Sequence, residues 1–310
     1  MKRFICFMFL LILLCGCTKK TPSVSETDFV MDTVMTYQLW GADSQEGAKQ
    51  IKELLRQLDA IWSATGENSI LSVLNQGTAS LTPEQQALLN TAEALSVRTG
   101  GAFDPKLHAV INAWGFLSND HRVPTQDELS SALNTDLWNL GAIVKGYAGQ
   151  QAADMLKTMN IDYAILNLGG NIQTYGQKPD GSLWQIGIQN PEGGNPVGII
   201  SVSGTTAVVT SGDYQRYFEK DGIRYHHILD PKTGYPADSG LSSVTVICQN
   251  GAVADALSTA LYVMGLEAAT EFWQNSSDFE AVFILEDGQI YATDGVALSD
   301  CNYEVIYREN

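Results

Sequence analysis

The sequence predicts an α+β fold with a mixed β-sheet and packed helices. Three observations carry this. Strand-like segments follow one another in long stretches that helices interrupt, rather than alternating one for one as in a doubly wound sheet. The helices that do occur begin at recognisable capping residues. No internal repeat and no linker divides the body, so it reads as a single domain over residues 27–310.

The first element is a targeting segment. Met1-Lys2-Arg3 is basic, Phe4 to Leu14 is almost purely apolar, and Leu14-Cys15-Gly16-Cys17 closes the stretch. It is too short to span a bilayer and has the size of a signal h-region. The ending resembles a bacterial lipoprotein signal over residues 1–16, with Cys17 as the lipidated residue. An ordinary secretory signal or an uncleaved anchor fits the same residues. Residues 17–26 are polar and suit a tether.

Phe29 to Trp40 alternates as one strand, with Met31-Asp32-Thr33 on it. Asp43 opens a helix with Glu46 placed for a capping box, and Ile51, Leu54, Leu55, Leu58 and Ile61 form its apolar face. Thr82-Pro83-Glu84-Gln85 starts another helix, which Gly100-Gly101 ends. A third helix covers 142–159, followed by a strand over Tyr163–Leu168. Strands continue to Val209, with turns at 179–181 and 191–194. Leu241–Ile247 is a strand, Ala252–Met264 a helix, and Glu280–Leu285 a strand.

Charge and cysteine content bound the function. The net charge is −17, and nearer −19 once Lys2 and Arg3 leave with the signal. Such a surface argues against nucleic acid as a partner. A bound polyphosphate needs local compensation, most simply a divalent cation. After cleavage Cys17, Cys248 and Cys301 remain, which is neither a disulfide framework nor a zinc site. Cys248 and Cys301 either pair or are buried as small apolar residues. Metal chemistry would use oxygen ligands.

The densest run of candidate residues is Arg224 to Pro236. Tyr225 to Leu229 is extended, and Asp230-Pro231 ends it. His227 there fits a general acid, a base or a phosphate contact, and equally a structural histidine beside a rigid turn. Asn139 to Tyr147 opens a helix with small residues and Lys145 in its first turn, an arrangement that can hold an anion or merely be solvated. Asp255 and Thr259 share a helix face. They supply hard oxygen ligands suited to magnesium, or else an N-terminal helix charge and a packing threonine.

Taken in order, these segments resemble the ApbE family, the FAD:protein FMN transferases. The matching strings are Met31-Asp32-Thr33, Ala102-Phe103-Asp104-Pro105, Leu140 to Tyr147, Leu166 to Asn171, Thr210 to Tyr214, His227 to Pro236 and Ala254 to Ala260. The resemblance implies FAD contacts at Met31, Ala102, Phe103, Asp104, Asn139, Lys145 and Ile228. It implies Mg²⁺ ligands at Asp255, Thr259 and the Ala142 carbonyl, and a histidine of activity at His227. This chain departs from the family's usual pattern at Asn139 (aspartate in many members), at Thr65 (an aromatic near the flavin) and at Asn171 (aspartate).

The activity so implied is Mg²⁺-dependent transfer of FMN from FAD to a Thr or Ser hydroxyl of a client flavoprotein, with release of AMP. The expected location is the outer face of the bacterial cytoplasmic membrane, anchored by lipid on Cys17. Two alternatives use the same site: a Mg²⁺-dependent FAD pyrophosphatase yielding FMN and AMP, and a flavin-binding lipoprotein without catalysis.

Overall fold

The computed structural model describes residues 23–118 and 120–308. The signal segment and Cys17 lie outside the described residues. The chain enters as a hairpin of β1 (Ser23–Val30) and β2 (Thr33–Gly41), paired from Ser23↔Trp40 to Val30↔Thr33. Residues 23–26, assigned above to the tether, therefore belong to the body, because their backbone pairs with residues 37–40 of β2.

The hairpin also corrects the single strand expected over Phe29–Trp40. Inward residues are even-numbered in β1 (Val24, Asp28, Val30) and odd-numbered in β2 (Met35, Tyr37, Leu39). One continuous strand cannot change parity. A two-residue turn at Met31-Asp32 does so, with φ of 52° and 56°, the left-handed pair that such turns require. Met31 thus sits at a turn and not on a strand.

α1 (Ser44–Trp62) buries Ile51, Leu55 and Leu58 as its spacing predicts. The Asp43/Glu46 capping box does not form. Instead the Asp43 carboxylate accepts from the main-chain and side-chain amides of Asn160, 2.9 and 2.8 Å away. A tertiary partner has outcompeted the local one. α2 (Ile70–Asn75) precedes α3 (Pro83–Arg98), where the Thr82/Gln85 box is formed in both directions. α4 (His108–Ala113), α5 (Gln126–Leu133) and α6 (Val144–Leu156) follow.

The strands of the second half are β3 (Ile161–Leu168), β4 (Asn171–Gly176), β5 (Trp184–Ile188), β6 (Gly198–Val202) and β7 (Ala207–Gly212). The short hairpin β8 (Tyr217–Lys220) and β9 (Ile223–His226) leads to β10 (Leu241–Cys248). α7 (Gly251–Gln274) extends past the expected Met264 but is broken at Gly265, φ 75° and ψ 169°. β11 (Phe279–Leu285), β12 (Ile290–Thr293), β13 (Leu298–Ser299) and β14 (Glu304–Ile306) complete the chain.

Nine strands form one sheet in the order β1-β2-β3-β4-β7-β10-β11-β12-β14, antiparallel except for the last pair. Alternation along its strands separates two cores. Val209, Val244, Val246, Ala281 and Phe283 face α7, while Val208, Val282 and Ile284 face the small sheet β13-β6-β5. α1 and α6 cover the β2–β3 end on the helical side. Cys248 and Cys301 are free; Cys248 is buried.

Candidate active site

The eleven residues expected to form the site (Met31, Ala102, Phe103, Asp104, Asn139, Ala142, Lys145, His227, Ile228, Asp255 and Thr259) all line one pocket. It opens where the β1–β2 turn, the end of α1, the start of α6 and the end of β9 converge.

The helix starts are arranged around an acid. Gly146 in the first turn of α6 donates its N–H to Asp255 Oδ2 at 2.8 Å. Ile143 and Val144 spend their amides on the Leu140 carbonyl, and Gly141 donates to Asn139 Oδ1 at 2.9 Å. One of the two readings of the α6 start left free amides for an anion. Its amides instead go to the protein's own carboxylate and to the turn before the helix. Asn139 keeps the acceptor that this turn needs, so the amide in place of aspartate costs no main-chain contact.

α6 and α7 pack backbone to backbone at Gly146 and Gly251. A Cβ on Gly146 would lie 2.0 Å from the Gly251 carbonyl oxygen and 2.6 Å from Asp255 Cβ. No side chain can move aside to relieve that. Gly146→Ala is expected to destabilise the fold by about 1–3 kcal/mol or more, measured by urea denaturation, and to displace Asp255.

Asp255 is 4 % exposed. Burial pushes its carboxyl pKa up, opposed by the nearby Lys145 charge and the Gly146 hydrogen bond. No ion pair to it forms among the described residues. A buried carboxylate of this kind is costly unless a cation approaches it. Thr259 Oγ1 lies 3.2 Å from Ser211 Oγ, which also contacts Ser258 Oγ at 2.8 Å. The side chain of Asn171 is buried in the same pocket, close enough to Asp255 to favour its charged form. Carboxylate, hydroxyl and the Ala142 carbonyl together are a hard-oxygen donor set, and it fits a magnesium ion. No cluster of three or more His, Cys, Asp or Glu occurs among the described residues, so any such site depends on these mixed donors.

His226 and His227 point to opposite sides. His226 is buried, with Nε2 on the Ala237 carbonyl at 3.2 Å and its ring edge-on to Tyr262. His227 faces the pocket. Its Nδ1 lies 3.1 Å from the Arg216 carbonyl, which also accepts the His227 main-chain N–H at 3.0 Å. A carbonyl only accepts, so Nδ1 carries the proton and the neutral ring keeps Nε2 as a free base. Loss of solvent, then the charges of Lys145 and Arg216, push the His227 pKa down to about 3. The turn behind it is braced. Asp230 accepts from Lys232 and Gly234, and Trp114 Nε1 donates to the Gly234 carbonyl at 2.7 Å.

Burial also pushes the His226 pKa down to about 4. Both histidines stay neutral in the fold below pH 6.5, while the unfolded chain takes up protons there. Stability is therefore expected to fall as pH drops from 6.5 towards 4, by roughly 3 kcal/mol for His226 alone. Urea denaturation at pH 7, 5 and 4 checks this, and His226→Gln is expected to flatten the slope.

Sequence reasoning assigned no role to Ser211, Gln215, Arg216 or Trp62, all of which line the pocket. Ser211 lay inside a recognised string; the others carried no local signal. Thr65 also lines the pocket and is exposed, so no aromatic ring comes from that position. Trp62, Phe103 and Phe116 supply the aromatic surface instead.

Comparison with known proteins shows the family. The ApbE family model matches residues 31–283. The chain is 30 % identical to the FAD:protein FMN transferase of Treponema pallidum, over 91 % of this chain and 90 % of that protein. It is 34 % identical to the Vibrio cholerae FAD:protein FMN transferase, over 83 % and 86 %. The fold is similar to the ApbE protein from Thermotoga maritima, with TM-score 0.83 and 32 % identity over 88 % of this chain and 97 % of that one. It is also similar to the flavin transferase ApbE from Vibrio cholerae, with TM-score 0.78 and 28 % identity over 88 % and 98 %.

Proposed function

Because the chain belongs to the ApbE family, we propose that it is an FAD:protein FMN transferase acting on a Thr or Ser hydroxyl of a client flavoprotein, with AMP as the second product. The observation that carries the reading is His227. It is a neutral imidazole with Nδ1 pinned to a carbonyl, on the wall of a pocket that also holds Lys145 and the oxygen donors of Asp255, Thr259 and Ala142.

The client hydroxyl attacks the FMN-side phosphorus of FAD. A new P–O bond forms, the pyrophosphate P–O bond breaks, and AMP departs with its electron pair. His227 Nε2 is placed to take the hydroxyl proton. Lys145 balances phosphate charge, and the apolar wall of Met31, Phe103 and Ile228 receives the flavin. Magnesium held by Asp255, Thr259 and the Ala142 carbonyl would neutralise charge on the pyrophosphate.

The test mixes purified protein, FAD, Mg²⁺ and a candidate client. Flavin fluorescence that survives on the client in a denaturing gel, with stoichiometric AMP, supports transfer. AMP without labelled client means hydrolysis, and neither product means flavin binding alone.

The Leu14 to Cys17 ending supports anchoring at the outer face of the membrane through lipid on Cys17. Cys17→Ser is expected to release the protein from membranes or leave its signal unprocessed. Unchanged membrane retention and lipid labelling would count against the anchor.

A further inference from the structure

Lys145 and Arg216 are the two pocket-lining side chains that are cations at neutral pH. Lys145 already has a place in the reading above. Arg216 has none, yet its main chain is fixed beside His227, whose N–H and Nδ1 both use its carbonyl. Its side chain therefore starts from the same point on the wall where proton transfer is expected, and it is largely exposed. The field of both cations meets at this imidazole, since both disfavour its protonation.

What Arg216 contacts is a weak partner. Its Nη2 lies 3.9 Å from Asp32 Oδ2, and the two side chains are 59 % and 77 % exposed. An exposed ion pair at that distance contributes little and exchanges readily. Asp32 is held in place by the hairpin turn, at the pocket's edge. A guanidinium fork suits a phosphate group better than a distant carboxylate, because it can donate two parallel hydrogen bonds.

We propose that Arg216 is a phosphate-binding residue of this site, resting on Asp32 in the free protein and passing to the FAD pyrophosphate on binding. Asp32 is then a weak competitor that yields the guanidinium readily, and its main effect is to repel the incoming phosphates. The proposal rests on the transferase reading for the identity of the ligand, but it is tested by binding.

The experiment titrates FAD and riboflavin, which lacks phosphate, into the whole protein and follows flavin fluorescence. The wild type, Arg216→Ala and Asp32→Asn are compared. Asparagine tolerates the left-handed backbone of residue 32 as well as aspartate does, so that variant removes charge without disturbing the turn. Arg216→Ala is expected to weaken FAD about tenfold or more and riboflavin by less than about twofold, the loss of charge-assisted hydrogen bonds to phosphate alone. Asp32→Asn is expected to tighten FAD. The proposal is overturned if Arg216→Ala leaves FAD affinity unchanged or weakens both ligands equally. It is also overturned if Asp32→Asn weakens FAD as Arg216→Ala does, since the ion pair itself would then be what matters. Failure of the wild type to label any client would count against the transferase reading and leave this phosphate selectivity still measurable.

Discussion

His227→Ala is expected to lower FMN transfer by at least about a hundredfold while FAD affinity stays within about tenfold of wild type, because acid–base help is typically worth 10²–10⁴-fold and is realised mainly in the transition state. The structure sharpens the reason. The ring is held through Nδ1 by the Arg216 carbonyl, is kept neutral by burial and two nearby cations, and keeps Nε2 free. A proton acceptor is lost, but the apolar wall that receives the flavin stays. His226→Ala serves as the control. Its ring packs on Tyr262 and the Ala237 carbonyl, away from the pocket, so that variant should lose stability and retain transfer per folded molecule. FAD binding by fluorescence quenching and client labelling by gel separate the two. A dead His226→Ala with an active His227→Ala would reverse the assignment of the two rings.

Asp255→Asn is expected to cut transfer roughly a thousandfold at limiting Mg²⁺, since a bound metal stabilises transition-state charge by several kcal/mol. A second readout needs no turnover. The folded-state pKa of Asp255 is raised by burial, so the native state binds its proton more tightly than the unfolded chain. That contribution to stability is present below the unfolded pKa of about 3.9 and is lost as pH rises through the folded value. Above that range and without metal, ionising the wild-type carboxyl carries a burial cost that the Gly146 hydrogen bond and the Lys145 charge only partly offset, and Asp255→Asn removes that cost. The variant should melt higher than the wild type in EDTA at pH 7, with the gap closing towards pH 3, and it should gain less from added Mg²⁺. Equal gains from Mg²⁺ in both proteins would show that Asp255 does not hold the ion.

Local order determined much of this protein. The helical spacing of Ile51, Leu55 and Leu58, the Thr82/Gln85 capping box, and the Asp230-Pro231 turn are interactions between residues a few positions apart, and each stands in the fold as its sequence predicts. The eleven expected site residues came from the resemblance of short strings to the family, and the fold brings them to one pocket. α2, α4 and α5 were missed because they are too short for a period to emerge. The β1–β2 turn was missed because alternation hides a change of parity when the turn itself carries Met and Asp instead of glycine.

What only the tertiary structure decided is who partners whom. Asp43 looked like a helix cap and instead holds Asn160, 117 positions away. The amides at the start of α6 looked open to an anion and instead serve Asp255, 109 positions on. Arg216 carried no signal at all, yet its carbonyl sets the tautomer of His227 and its side chain reaches the pocket. These choices compare a local hydrogen bond with a distant one, and a burial cost with the partner that offsets it. Neither comparison can be made until the sheet has brought residues a hundred positions apart into the same few ångströms.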